Sequence, residues 1–131
     1  MKPLLCCLLA ITVALVAFTN RKKTDYKMKK YWLMFLLKGN NRSHDSATAA
    51  RIQSAHMANI ERLANEGKII MAGPMGYSKG QDRELRGIFI MDAKDSADAA
   101  ASVATDSAVL TGRLRFEVHP WWTARGSYTF R

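Results

Sequence analysis

The stretch His56-Met-Ala-Asn-Ile-Glu-Arg-Leu-Ala-Asn-Glu-Gly-Lys-Ile-Ile-Met-Ala-Gly-Pro74 changes its periodicity halfway. Its first half continues an apolar stripe that begins upstream, with Ile52, Ala55, Ile60, Leu63 and Ala64 at helical spacing. Gly67 follows as a C-terminal helix stop. Lys68 to Ala72 then reads as a short buried strand, which Gly73-Pro74 closes with a turn. One residue breaks the apolar logic of the helix. His56 lies four residues after Ile52 and four before Ile60, at the centre of the stripe. A side chain that titrates near neutral pH stands where leucine would cost less to bury. It is either a structural histidine bonded to a backbone carbonyl or a functional one.

The pattern extends in both directions. Upstream, Tyr31 to Lys38 is a continuous apolar and aromatic run of strand length, ended by Gly39-Asn40-Asn41. A polar loop leads to Ser46, a residue able to cap the first helix. Downstream, Gly73 to Arg86 reads as a loop and Gly87 to Asp92 as a third strand. Ser96 can cap an alanine-rich second helix reaching about Thr105. Leu114 to His119 alternates apolar with polar, as a strand with one wet face does, and Pro120 is expected to end it. Trp121 to Arg131 then reads as an aromatic tail without periodicity. The order βαββαβ predicts an α+β, ferredoxin-like domain, an antiparallel sheet with both helices on one face. Tyr31 to Leu37 offers apolar residues to both faces, so the second face calls for a partner, most simply a second copy of the chain.

The 131 residues fit one domain. The net charge of +9 is unevenly spread. Residues 1–30 hold seven Lys/Arg against one Asp, whereas residues 31–131 hold thirteen against ten Asp/Glu. The folded part therefore lacks the basic stripe that a phosphate backbone requires, and no nucleic-acid partner is expected. The cysteines, Cys6 and Cys7, precede the domain, leaving it without a disulfide framework or thiolate metal site. His44, His56 and His119 lack metal-site spacing, so neither metal nor cofactor is expected.

Leu4 to Phe18 is apolar apart from Thr12 and is followed by Asn20-Arg-Lys-Lys23. As a helix it would span roughly 22 Å, short of the ~30 Å hydrocarbon core and nearer to a signal-peptide core. Residues 1–27 are thus read as a signal peptide or membrane anchor with a basic linker, residues 28–122 as the domain and 123–131 as a tail. The domain would be exported (periplasmic or extracellular) or membrane-anchored. It would be cytoplasmic if the chain naturally starts at Met28. Any membrane contact would run through the N-terminal segment alone.

Among other candidates, Asp106 precedes a short apolar turn and suits an N-cap, though an opposing histidine would make it the orienter of a general base. Arg113 can bind a carboxylate or lie solvated on a strand. Gly73 would let a ligand approach the backbone closely. Trp121 and Trp122 suit core or interface anchoring. No phosphate loop or nucleophile elbow is present.

Taken together, Tyr31-Trp-Leu-Met-Phe-Leu-Leu37, His56 to Lys68, Ala72-Gly-Pro74, Leu85-Arg-Gly87, Thr105-Asp-Ser-Ala-Val109, Gly112-Arg-Leu114 and His119-Pro-Trp121 resemble the YCII-related (YciI-like) family over about residues 29–122. The resemblance implies a dimeric α/β barrel with a pocket holding a His–Asp pair, here His56 and Asp106. It also implies kinship with dehydrochlorinases and muconolactone-isomerase-like enzymes acting on small ring compounds. Where the family has Asp-Pro, this chain has Asp106-Ser107, so proline is missing from the first helical position. The expected activity is that of a small-molecule lyase or isomerase. His56 and Asp106 would be catalytic, and Gly73, Pro74 and Arg113 would bind substrate. The competing expectation is a non-catalytic module that binds a small ligand or a partner.

Overall fold

The computed structural model describes residues 26–77 and 83–127. The apolar leader, part of the Gly73–Arg86 loop and the end of the aromatic tail lie outside them. Among the described residues, no helix is long and apolar enough to cross a membrane.

Strand β1 (Met28–Lys38) leads to helix α1 (Ser46–Asn65) and strand β2 (Ile69–Pro74). Strand β3 (Leu85–Met91), helix α2 (Ser96–Ala104), the single-turn helix α3 (Ser107–Leu110) and strand β4 (Leu114–Ala124) complete the domain. The sheet order is β2-β3-β1-β4, with every neighbouring pair antiparallel. This is the α+β, ferredoxin-like arrangement expected from the order of elements.

Alternation along β1 decides which face is core. Trp32, Met34 and Leu36 turn to one side, where they pack with Phe89 and Met91 of β3, Leu63 of α1 and Ala99 and Val103 of α2. The intervening Tyr31, Leu33 and Phe35 are only partly buried and lie on the face away from the helices. Leu33 is in register with Ile90 and Phe35 with Ile88, so the apolar character of that face extends across two strands.

Several local expectations shift. The helix N-caps are Asp45 and Asp95, whose side chains accept from the backbone N–H of Thr48 and Asp98. Ser46 and Ser96 are instead the first helical residues. A carboxylate one residue earlier reaches the free amides of the first turn and suits its dipole. In α1, Ala55 and Ala64 are exposed, and the buried face is Ile52, His56 and Leu63. Pro120 does not end β4, which pairs with β1 as far as Ala124 opposite Met28. Strand β4 is an edge, so the amide that proline lacks need not bond a neighbour. The extension carries Trp121 and Trp122 into the sheet. Trp121 packs against Tyr31, with ring centroids 6.3 Å apart, and Trp122 remains 58% exposed.

Two glycines are structurally required. Gly67 has φ +72° just past the end of α1, a conformation that strains any Cβ-bearing residue. At Gly39 a Cβ would stand 2.1 Å from the carbonyl oxygen of Gly112. That approach lets Gly39 N–H donate to the Arg113 carbonyl at 2.9 Å and Asn41 N–H to that of Gly112 at 3.0 Å. The loop after β1 is thereby fastened to the loop before β4.

Candidate active site

His56 enters the site because α1 turns its buried face towards the sheet. Its ring stacks over Phe89, with centroids 6.3 Å apart and planes 22° from parallel. Its Nδ1 lies 2.8 Å from Oδ2 of Asp106, fifty positions later in the chain. Asp106 is 1% exposed and His56 8%.

Asp106 is both the N-cap of α3 and the partner of His56. Its Oδ1 accepts from the Ala108 N–H at 2.8 Å, while Oδ2 also accepts from Asn59 Nδ2 at 3.0 Å. The orientation of Asn59 is fixed in turn, because its Oδ1 accepts from Arg62 at 2.7 Å. The second helix ends at Ala104, so Asp106 sits in the break before α3 and not at the end of α2. Proline is absent after it, yet Ser107 supplies another anchor. Its Oγ donates to the Ile52 carbonyl at 3.0 Å, one helical turn before His56.

Burial pushes the Asp106 carboxyl up. Hydrogen bonds from His56 and Asn59, the charge of His56 and the Ala108 amide together outweigh that effect and hold it below the ordinary aspartate value. An ionised carboxylate only accepts hydrogen bonds, so Nδ1 of His56 must carry the proton. In neutral imidazole this leaves the Nε2 lone pair free to take a proton. No described residue hydrogen-bonds Nε2.

The histidine forms part of the wall of a cavity of about 420 Å³ between α1 and one end of the sheet. Gly73, Pro74 and Arg113 line the same cavity, so the structure brings them together with His56. Asp106 stands behind the ring and is not itself a lining residue. Gly73 and Pro74 belong to β2, paired opposite Ile88 and Gly87, and Gly73 does not form a free turn. Leu36, Ile52, Ile60, Phe89 and Leu114 make the apolar walls.

Sequence reasoning missed Arg42, Gln53, Met57 and Arg86, which also line the cavity. Gln53 and Met57 each follow a residue of the buried stripe, so a wider stripe would have included them. Arg86 had no comparable signal. Leu36 pairs with Gly87 but Leu37 with Leu85, so Arg86 is the extra residue of a β-bulge in β3. Among the described residues, no group of three or more His, Cys, Asp or Glu side chains is placed to hold a metal ion.

A solved structure with the same architecture is 5-chloro-2-hydroxyhydroquinone dehydrochlorinase from Burkholderia phenoliruptrix AC1100, in complex with 2,5-dihydroxybenzoquinone. The two chains are 25% identical, with a TM-score of 0.50. The similarity covers 70% of this chain and 92% of that one. No curated protein sequence matches the chain. The sequence pattern of the YCII-related domain matches residues 32–122, which is most of the chain and all of the site just described, and the protein therefore belongs to the YCII-related family.

Proposed function

We propose that this protein is a small-molecule enzyme of lyase or isomerase type, with His56 as general acid/base and Asp106 as the group that orients it. The observation that carries the reading is the 2.8 Å contact from His56 Nδ1 to a buried carboxylate, with the ring in the wall of a cavity. Nε2 would take a proton from a carbon or hydroxyl of the bound substrate. The electron pair left behind would then expel a leaving group from the adjacent position, giving a lyase. Alternatively, the imidazolium would return the proton at another carbon, giving an isomerase. Similarity to a dehydrochlorinase supports this class of chemistry. Gly73, Pro74 and Arg113 would shape and hold the substrate.

The test is solvent-deuterium exchange into small ring carboxylates and hydroxyquinones, followed by NMR, together with chloride release from chlorinated hydroxyhydroquinones. His56→Asn should lower any such rate by about 10²–10⁴, the usual contribution of a positioned acid/base. A folded His56→Asn protein that keeps the wild-type rate would sink the reading.

We further propose that two copies pair through the sheet face that the helices leave uncovered. Tyr31, Leu33, Phe35 and Ile88 lie there, partly buried in the single chain, and a second sheet would remove them from water.

A further inference from the structure

His56, Asn59, Arg62 and Glu66 follow one another at steps of three and four residues along α1 and its C-cap, so they form one row on the helix surface. Hydrogen bonds run down this row into the site. Glu66 Oε1 accepts from Arg62 Nη1 at 2.6 Å, and Asn59 Oδ1 accepts from Arg62 Nη2 at 2.7 Å. Asn59 Nδ2 donates in turn to Asp106 Oδ2 at 3.0 Å, the oxygen that also faces His56 Nδ1 at 2.8 Å. A guanidinium can only donate and an ionised carboxylate can only accept. Asn59 meets both demands with one rigid amide, and its orientation is dictated from both sides. Aspartate in its place would offer Asp106 no donor. Asn59 does not line the cavity, so its influence on a bound molecule has to pass through Asp106.

Asp106 needs that second donor because it is 1% exposed. Burial, the largest influence on it, favours the neutral carboxyl, and the hydrogen bonds from His56 and Asn59 act against it. The conflict is sharpest once Nε2 of His56 has taken a proton. The imidazolium could then pass its Nδ1 proton to the buried carboxylate. That transfer would leave a neutral ring protonated at Nε2, a much weaker acid than the imidazolium. A hydrogen bond to the charged form of Asp106 opposes it.

We propose that Asn59, held by Arg62, is a positioning residue for the reaction, keeping Asp106 an ionised acceptor so that His56 retains its Nδ1 proton and returns the Nε2 proton to substrate or leaving group. This deepens the acid/base reading of the same site and rests on it for the chemistry.

The test compares the full chain with its Asn59→Leu and Asn59→Asp variants. The Asp106 carboxyl carbon is followed by NMR from pH 8 downward, alongside the His56 Nδ1–H resonance and the kinetics of solvent-deuterium exchange into small ring carboxylates and hydroxyquinones. The Asp106 titration should move up by about half a pH unit or more in Asn59→Leu, which lacks the donor. It should move up by about one unit or more in Asn59→Asp, where a like charge replaces the donor. Arg62 beside Asn59, and Arg42, Arg86 and Arg113 on the cavity wall, are the same in both variants, so the shift reports position 59. The Nδ1–H resonance should move as well, since His56 would no longer share Oδ2 with an amide. In both variants kcat should fall about tenfold or more, the worth of one hydrogen bond to a charged group, with KM within about twofold. A folded Asn59→Asp protein whose Asp106 titration stays within about 0.2 unit of wild type, or whose kcat stays within about twofold, would overturn the proposal. If Asn59→Leu does not fold, Asn59→Asp decides alone, because it keeps the side chain's shape and the acceptor for Arg62. His56→Asn separates the two readings. If it exchanges at the wild-type rate, the acid/base reading fails, while the Asp106 titration still reads the hold of Asn59 on the carboxylate. If it stops exchange while both Asn59 variants keep the wild-type kcat, the role of Asn59 alone fails.

Discussion

The position of Asp106 is over-determined, and that gives it a measurable pH signature. Its carboxylate receives the His56 ring, the Asn59 amide and the Ala108 N–H. Its folded value is therefore below the unfolded one, near 3.8. A lowered value means that the native state resists protonation more than the unfolded chain does. The stabilisation is fully present above the unfolded value and is lost as pH falls through the folded one. Urea midpoints measured from pH 7 downward should show wild type losing stability below about pH 4, with the gap to Asp106→Asn closing there. Near pH 7, Asp106→Ala should cost about 1.5–3 kcal/mol, since it orphans buried donors and removes a cap. Ser107 tests how the carboxylate is held without the family's proline. Ser107→Ala should cost about 0.5–1.5 kcal/mol in thermal melts. It should also lower the proton-exchange rate of the full protein if the tie to the Ile52 carbonyl sets the His56–Asp106 approach.

At the scale of elements, periodicity carried most of what could be read. The stripe through Ile52, His56 and Leu63 is a property of spacing alone, and it located α1, its buried face and the odd histidine together. The glycine stop at Gly67 was legible for the same reason, since φ near +72° leaves few residues to choose from. What escaped was set by pairing between distant segments. Strand β4 runs through Pro120 because an edge position forgives proline, and nothing within Leu114 to Ala124 announces an edge. Arg86 entered the cavity through a bulge that exists only relative to β1. Likewise, His56 was conspicuous but Asp106 read as an ordinary N-cap, and their pairing followed from the family resemblance and not from any spacing. Gly39 shows the same dependence on tertiary contact. It looked like an ordinary strand end, yet it sits where a methyl group would collide with the Gly112 carbonyl. Gly39→Ala should therefore destabilise by about 1–3 kcal/mol in urea titration, more than an exposed loop glycine would.

Among the described residues the helices cover one side of the sheet, and the proposed pairing of two copies would use the other. The helices cover Trp32, Met34 and Leu36, while Tyr31, Leu33 and Phe35 alternate onto the far face with Ile88. About a hundred residues build a modest core, so burying this face against another sheet would add stability that a single chain lacks. Two-fold pairing uses the same patch on both copies, which makes any change in it count twice. Phe35 lies centrally on that face, in register with Ile88 on one side and Glu117 on the other. Phe35 is already partly buried in the single chain, so Phe35→Glu would remove about 1 kcal/mol of further aromatic burial per copy and place two like charges in one apolar contact. The burial loss alone, doubled, weakens association by about 30-fold. Light scattering after size exclusion should give a dimer for the wild type and a monomer for Phe35→Glu at the same concentration. His56 and Asp106 lie on the helix side of the sheet, so the monomer should keep their hydrogen bond, visible as an unchanged His56 Nδ1–H resonance. A wild-type monomer, or a Phe35→Glu dimer of undiminished strength, would show that this sheet face is not where two copies meet.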